Sequence, residues 1–486
     1  MSSAAAAQNK PIVVSSPGKV LIAGGYLVLD PTYSGVVVST SSRFYTVIRA
    51  GTSREEKGST IRVRSPQFEG AEWVYRVEAE GEGGIEVRAS EDNSSKNKFV
   101  HLALQNTLSF AGEVRGVKEI ASVLSSSKGL DITIVGDNDF YSQRAQLESL
   151  NLPRSLSSLS SLPPFSPQKG VSLANVHKTG LGSSAALITS LVSAVLVYFG
   201  VIPPEGLHND EEKRHLAHNV SQFIHCLAQG KVGSGFDVSA AVFGSHVYTR
   251  FRPSVLEGLM DGDEGPRTAL LPVLSPSNES WDHQVRHFAL PPLTRIILAD
   301  VDAGSDTPSL VGRVLKWRKD DSERANALWN ALDALNQTLA RTLLRLEELY
   351  EDEAEREVYV RTVEELSELG SDQKIREKMR EMGTLAGVPI EPPEQTRLLD
   401  ASVKQAGVIG GGVPGAGGYD AVWVLVFDPH SRDQGQKKPG PAERIDALWC
   451  NYKELDVSPL SATESKGKGT RLEELVEVRG LREVVG

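Results

Sequence analysis

The sequence predicts an α+β protein of two lobes, and three observations carry that prediction. The first half alternates short runs rich in Val, Ile, Tyr and Thr, residues that suit a pleated half-buried surface, with longer helical patterns. A composition change over Pro253 to Asp282 separates that half from a second one dominated by charge-dense helical sequence. At 486 residues the chain is too long for one core, and a size of roughly 150 residues per domain allows two or three. The expected division is a first lobe over residues 1–250, a connecting segment over 251–290 and a second lobe over 291–486.

Taken in order, strands are predicted at Ile12 to Val14, Val20 to Leu29, Gly35 to Thr40, Phe44 to Ala50, Thr60 to Ser65, Trp73 to Val77 and Leu130 to Val135, with turn residues between them. Helices are predicted at Phe99 to Phe110, Ser184 to Phe199 and His215 to Gln229. Ser155 to Gln168, a mixture of Ser, Leu and Pro without usable periodicity, reads as a loop. After the junction come a strand at Thr294 to Asp300, a helical block from Leu310 to about Gly387, a helix at Pro393 to Gly407 and a strand at Ala421 to Phe427. The charge of the helical block reads as a solvated face. Lys437 to Pro441 and Ser461 to Lys468 read as surface loops, and no internal repeat is visible.

A formal net charge of −11 argues against general binding to nucleic acid or an acidic membrane. Two cysteines, Cys226 and Cys450, cannot build a disulfide framework or a dedicated zinc site, which suits a reducing compartment. Residues Met1 to Pro11 lack the apolar core of a signal peptide. The longest apolar run, Ala185 to Phe199, is interrupted by Thr189 and Ser193 and falls short of the roughly 18 to 20 residues that a membrane span needs. A cytoplasmic protein is the expectation.

Lys178-Thr-Gly-Leu-Gly-Ser-Ser-Ala-Ala186 is a glycine-rich turn that runs into a long apolar segment. The first turn of a helix leaves N–H groups unpaired and carries partial positive charge, so backbone alone can hold a phosphate there. Gly180 and Gly182 bring the main chain close, and Ser183 and Ser184 add hydroxyls. The same letters fit a dinucleotide fingerprint through Gly180, Gly182 and Ala185, but that motif needs a second strand ending in an acid about 20 positions on. The region after Phe199, from Gly200 to His215, offers no such strand. On these letters alone, a glycine turn that only packs a helix on a sheet stays open.

A second glycine cluster, Gly407 to Asp420, lies far away in sequence. Each glycine costs backbone entropy on folding, so this density points to close approach of a ligand. Neither cluster is a P-loop, and the protein-kinase signatures are missing. Near the N-terminus, Ser15-Ser-Pro-Gly-Lys19 places a lysine directly after a Pro-Gly turn and ahead of an apolar run. Alone, Lys19 would be an exposed strand-edge residue.

Together these three stretches resemble, in order, the three motifs of the GHMP superfamily of small-molecule kinases. Lys231-Val-Gly-Ser-Gly-Phe-Asp237 falls where that family keeps its catalytic aspartate. The four matches span most of the chain. Ala23-Gly-Gly-Tyr-Leu-Val-Leu replaces the Gly-Glu-His usual in mevalonate kinase and galactokinase. With Ala228 to Asp237, Val247 to Arg252 and Gly410 to Asp420, it is similar to the GHMP-type phosphomevalonate kinase family, which is unrelated to the P-loop enzyme of the same activity.

The resemblance implies a GHMP fold, with an N-terminal ribosomal-S5-domain-2-like lobe that binds ATP and a C-terminal ferredoxin-like lobe with a helical insertion. It implies transfer of the γ-phosphoryl group of ATP to (R)-5-phosphomevalonate, giving (R)-5-diphosphomevalonate and ADP on the route to isoprenoids and sterols. By the same resemblance Lys19 and Asp237 are catalytic, and Lys178, Thr179, Gly180, Leu181, Gly182, Ser183, Ser184, Ala185 and Ala186 bind ATP. Ser184 also contacts Mg2+. Gly25, Tyr26, Lys231, Ser234, Gly235, Arg250, Arg252, Ser305, Gly415, Ala416 and Gly417 face the acceptor. For Lys231, Arg250 and Arg252 a surface role stays open, while Lys96 and Lys98 are weaker candidates for the same task. ATP and 5-phosphomevalonate are the partners expected of a monomer or homodimer, with no nucleic acid and no membrane.

The chemistry modifies the aspartate's role. Phosphoryl transfer passes through a loose transition state, so catalysis is mostly positioning and charge neutralisation. A phosphate monoester has a second pKa of about 6, so this acceptor is already largely ionised at neutral pH. Asp237 is therefore expected to position cations and substrate more than to abstract a proton, with Lys19 as the cation between the two phosphates. Mevalonate kinase adds a glutamate from the helix before its aspartate, yet Asn219 to Gln229 contains no acid. The magnesium shell is then mainly phosphate and water, or uses Asp237. His215, His218 and His225 read as packed or capping residues. The fold also serves non-catalytic sensors and kinases of other acceptors, but the presence of Lys19, Ser184 and Asp237 favours an active enzyme.

Overall fold

The computed structural model describes residues 10–51, 59–79, 84–93, 95–168, 170–173, 175–260, 269–301, 307–366, 374–429, 439–467 and 469–486. Strands β1 (Ile12–Ala23) and β2 (Ser34–Ala50) form its spine. Beside them lie β3 (Ser59–Arg64), β4 (Glu72–Ala79), β5 (Ile85–Ala89) and β6 (Leu130–Gly136), with β7 (His246–Thr249) and β8 (Gln284–His287) attached through β2. All neighbours in this sheet run antiparallel except β3 and β6.

Two helices pack on the first sheet, α1 (Lys98–Arg115) and α2 (Ser183–Tyr198), and a third, α3 (Glu211–Gln229), packs on both of them. The α2 helix is apolar on nearly every side, which makes it a core helix rather than a surface one. Its N-cap is Gly182, left-handed at φ 78°. Asp210 caps α3 by accepting from the Lys213 N–H at 3.2 Å. A short helix α4 (Phe236–Phe243) follows, capped by Gly235 at φ 84°.

The second lobe is built on β9 (Thr294–Val301), β10 (Val408–Gly412), β11 (Ala421–Phe427) and β12 (Val457–Leu460), ordered β10–β11–β9–β12 and antiparallel throughout. The predicted helical block appears as Thr307–Asp320, Ser322–Glu351, Glu353–Leu366 and Lys374–Ala386. Trp329, Leu332, Met382, Ile390, Val424 and Trp449 belong to its core. Arg144 of the first lobe reaches across to β9, donating to the Asp300 carboxylate and, at 2.7 Å, to the Asp300 carbonyl, and at 2.9 Å to the Asp456 carbonyl. Asp300 is fully buried, and this guanidinium neutralises its charge at the junction, with His177 Nε2 3.2 Å from its other carboxylate oxygen.

The chain then returns to the first lobe. Strand β13 (Arg471–Leu472) pairs with β1 through Val14 and Ser15. Buried Arg43 stitches this tail in place, donating to Ser15 Oγ at 2.7 Å and to the Gly469 carbonyl at 2.5 Å. The polypeptide after residue 291 thus contributes to both sheets.

Several local predictions are corrected. The strand expected over Val20 to Leu29 ends at Ala23, and Leu27–Leu29 is a 3-10 turn. Gly24 at φ 92° and Tyr26 at φ 65° turn the chain there, although the apolar pattern runs on. Gly35 to Thr40 and Phe44 to Ala50 are one strand, because the polar residues between them are partnered in place and form no turn: Ser41 and Arg43 by the tail residues Thr463 and Ser465, and Ser42 by Asp139. Ser155 to Gln168 contains the helix Leu156–Ser161, capped by Ser155. The helix over Pro393 to Gly407 stops at Val403. Residues 461–467 are not simply a surface loop: Ala462 and Ser465 are buried, and Ser461 donates to Asp139 at 2.7 Å through its N–H. Lys437, Lys438 and Lys468 lie outside the described residues.

Candidate active site between the lobes

The bulge in β1 between Pro17 and Lys19 aims the Lys19 side chain out of the ladder. Gly18 makes room for this: a Cβ there would lie 2.8 Å from the Leu181 carbonyl oxygen. Lys19 N–H donates to that carbonyl at 2.9 Å and its Nζ donates to the Gly180 carbonyl at 2.8 Å. The lysine stem lies against Gly182, where a Cβ would meet Cε at 2.9 Å. The first motif and the second glycine turn are therefore one structural unit.

These residues line a cavity of about 590 Å³. Its wall includes Lys19, Tyr26, Lys178, Gly180, Gly182, Ser183 and Ser184 from the first two motifs. Lys231, Ser234, Gly235 and Asp237 come from the turn into α4, and Gly415, Ala416 and Gly417 from the loop between β10 and β11. Tyr26 Oη donates to the Ala416 carbonyl at 2.6 Å, which ties the first motif to the third. Burial pushes the Tyr26 hydroxyl well above its ordinary pKa, so it acts as a donor and not an anion. Burial pulls the Lys19 ammonium down from its ordinary pKa, and the Asp237 carboxylate partly offsets this.

Not every predicted residue faces the cavity. Thr179 is buried and donates to the Asp139 carbonyl, Leu181 serves Lys19 through its backbone, and Ala185 and Ala186 are fully buried in the core. Arg250 lines the cavity but its guanidinium clamps backbone, donating to the carbonyls of Leu29 at 2.5 Å, Val232 at 3.1 Å and Gly233 at 2.6 Å. Arg252 points away, 72% exposed at its side chain and paired with Asp282 at 2.7 Å. Arg252 is thus corrected to a surface ion pair, and Arg250 to a strap that shapes the loop before Asp237. Ser305 lies outside the described residues. Lys96 and Lys98 do not line the cavity.

Gly25 sits behind the cavity wall, lining an adjacent apolar hollow with Met379 and Trp423. A Cβ on Gly25 would lie 2.3 Å from the Gly415 carbonyl oxygen, inside any tolerable contact with backbone. Gly25→Ala is expected to displace the Gly415 to Gly417 loop and cut kcat/KM about 100-fold, the scale of a 1 Å misplacement. Near-normal kcat/KM in a folded Gly25→Ala protein would refute this packing.

Sequence reasoning missed three polar wall residues on α3: Gln222, His225 and Gln229. Their spacing of three and four puts them on one helix face. His215 and His218 do pack, against Phe243 and His283. His225 is corrected, because it lines the cavity with Nε2 3.1 Å from Ser184 Oγ.

The chain matches the family models for the GHMP kinases N terminal domain over residues 163–245 and GHMP kinases C terminal over residues 362–441. It is 38% identical to the phosphomevalonate kinase of Aspergillus fumigatus over 85% of this chain and 87% of that one. It is also 38% identical to a peroxisomal phosphomevalonate kinase of Arabidopsis thaliana, over 86% of this chain and 90% of the relative. Its fold is similar to that of Streptococcus pneumoniae phosphomevalonate kinase in complex with phosphomevalonate and AMPPNP. That match has a TM-score of 0.54 at 16% identity, over 93% of this chain and 100% of that one. The motifs, the two-lobed fold and these relatives agree: the chain belongs to the phosphomevalonate kinase family of the GHMP kinases.

Proposed function

We propose that the chain transfers the γ-phosphoryl group of ATP to (R)-5-phosphomevalonate, releasing (R)-5-diphosphomevalonate and ADP. The observation that carries this reading is the convergence of Lys19, Ser184, Asp237 and the Gly415 to Gly417 loop on one cavity. The α2 N-terminus, opened by Gly182, offers unpaired N–H groups to the ATP phosphates. Lys19 lies between that turn and Asp237, where it screens the acceptor phosphate from the triphosphate. Exposed Lys231 supplies a second cation to the acceptor. The attacking phosphate oxygen is already ionised, so Asp237 holds Lys19 and bound cation in place and removes no proton.

Among the described residues no group of three or more His, Cys, Asp or Glu side chains is placed to hold a metal ion. This fits Mg2+ carried in largely by ATP and water, with Ser184 and Asp237 as the protein's donors. Mg2+ so held neutralises charge on the phosphates. The enzyme is proposed to work as a monomer or homodimer, which light scattering tests. The proposed compartment is the cytoplasm, consistent with two free cysteines. No helix among the described residues is long and apolar enough to cross a membrane. Imaging of a tagged chain tests the cytoplasm against the peroxisome named for the plant relative.

Mevalonate, 5-phosphomevalonate and 5-diphosphomevalonate, each offered with ATP in an ADP-coupled assay, test the function. Turnover with 5-phosphomevalonate at least about 100-fold above the others is expected, because only that acceptor presents a terminal phosphate of the right reach. Preference for mevalonate, or no turnover with any of the three, overturns the reading.

A further inference from the structure

The α3 helix carries no acid between Asn219 and Gln229, yet one of its side chains bonds one of the site's proposed protein donors and lies near the other. His225 Nε2 lies 3.1 Å from Ser184 Oγ, 3.0 Å from Gln229 Nε2 and 3.9 Å from Asp237 Oδ2. His225 is 3% exposed. We propose that His225 is a positioning residue for the kinase reaction: its Nε2 accepts the Ser184 hydroxyl proton and turns the serine oxygen lone pairs toward the nucleotide-bound cation.

The argument is one of hydrogen-bond inventory. A hydroxyl has one donor and two acceptor lone pairs, so a serine that offers oxygen to a cation must send its hydrogen elsewhere. Among the described residues, His225 Nε2 is the hydrogen-bond partner of Ser184 Oγ, at 3.1 Å. The Gln229 amide nitrogen lies 3.0 Å from the same ring nitrogen, so with Nε2 unprotonated the two donors share its one lone pair. Asp237 Oδ2, at 3.9 Å, is beyond hydrogen-bond reach of the ring, so its carboxylate stays available to cations and substrate. An acceptor behind the serine thus does by orientation what a helix carboxylate would do by ligation. Outer-sphere partners of this kind are typically worth 10- to 100-fold in metal affinity.

The inference rests on the kinase reading, and its test separates the two. Mn2+ binding to the full-length protein with AMPPNP is measured by electron paramagnetic resonance, beside AMPPNP binding without metal. Wild-type binding of the Mn2+–AMPPNP pair checks the kinase reading itself. Ser184→Ala and His225→Leu are each expected to weaken Mn2+ binding about 10-fold, and in His225→Leu metal-free AMPPNP binding holds within about twofold. Because His225 acts through Ser184, the double variant is expected to lose about 10-fold and not about 100-fold. His225→Gln, whose amide oxygen can accept the serine proton, is expected to return to within about threefold of wild type. Wild-type Mn2+ affinity in His225→Leu, or multiplied losses in the double variant, overturns the proposal. Should His225→Leu fail to fold, the glutamine variant decides: a 10-fold loss there, with metal-free AMPPNP binding intact, counts against it.

Discussion

Lys19→Met is expected to lower kcat about a thousandfold while the far-UV circular dichroism and melting temperature stay close to wild type. Two unit charges about 4 Å apart at an effective dielectric of about 20 repel by roughly 4 kcal/mol, and each 1.4 kcal/mol is tenfold in rate. An ammonium between the acceptor phosphate and the triphosphate removes about one such pair, hence the thousandfold. The fold survives because, among the described residues, the lysine side chain donates one hydrogen bond, to the Gly180 carbonyl, which water can replace, and its main-chain bond to Leu181 does not depend on the side chain. The pH profile gives a second check. Burial holds the ammonium below its ordinary pKa of 10.5, so wild-type activity is expected to fall as pH rises through a value below that. Lys19→Arg should carry that decline to higher pH, since a guanidinium stays protonated. Turnover within tenfold of wild type in Lys19→Met would remove the lysine from the mechanism.

Most of the site was legible in the sequence because phosphate binding marks the chain with glycine. Gly180, Gly182, Gly235, Gly415 and Gly417 all take positive φ and all line the cavity, as their density predicts. Lys19 and Asp237 follow from their places beside those turns. The arginines did not follow, because nothing in Arg250 or Arg252 says whether a guanidinium will meet a ligand. One spends itself on three backbone carbonyls, and carbonyls leave no trace in a sequence. The other meets Asp282. His225 was misread for a different reason. It stands 41 positions from Ser184, and only the stripe Gln222, His225, Gln229 along the helix hints at a polar cavity beside it.

The fold was legible where periodicity is strong and illegible where partners are remote. Strand β11 appears over the residues predicted, Ala421–Phe427, as expected of a run buried on both faces. The α4 helix escaped notice although it carries Asp237 in its first turn, because eight residues of small and apolar character give no helical period to read. Strand β13 is two residues long and exists only because β1, more than 450 positions earlier, offers a free edge. No local pattern encodes that.

Asp237→Ala is expected to reduce kcat by about 10² to 10⁴, and Asp237→Asn to show that charge and not shape is what is lost. The α4 helix retains its Gly235 cap in both variants, so folding is preserved; the carboxylate's own bond there is a 3.0 Å contact to the Val238 N–H. If Asp237 were a base for the acceptor, raising the pH would ionise the acceptor without it and restore activity. The acceptor is already ionised above about pH 6, so no such recovery is expected. Instead the two variants should fail earlier in alkali. Asp237 raises the pKa of Lys19 against the pull of burial, so its removal lets that pKa fall further. The alkaline inflection of kcat/KM is therefore expected at a lower pH in Asp237→Asn than in wild type, with the double variant Lys19→Arg/Asp237→Asn insensitive over the same range. Recovery of Asp237→Asn at high pH would make the aspartate a proton acceptor after all, and an unmoved inflection would mean that it does not act on Lys19.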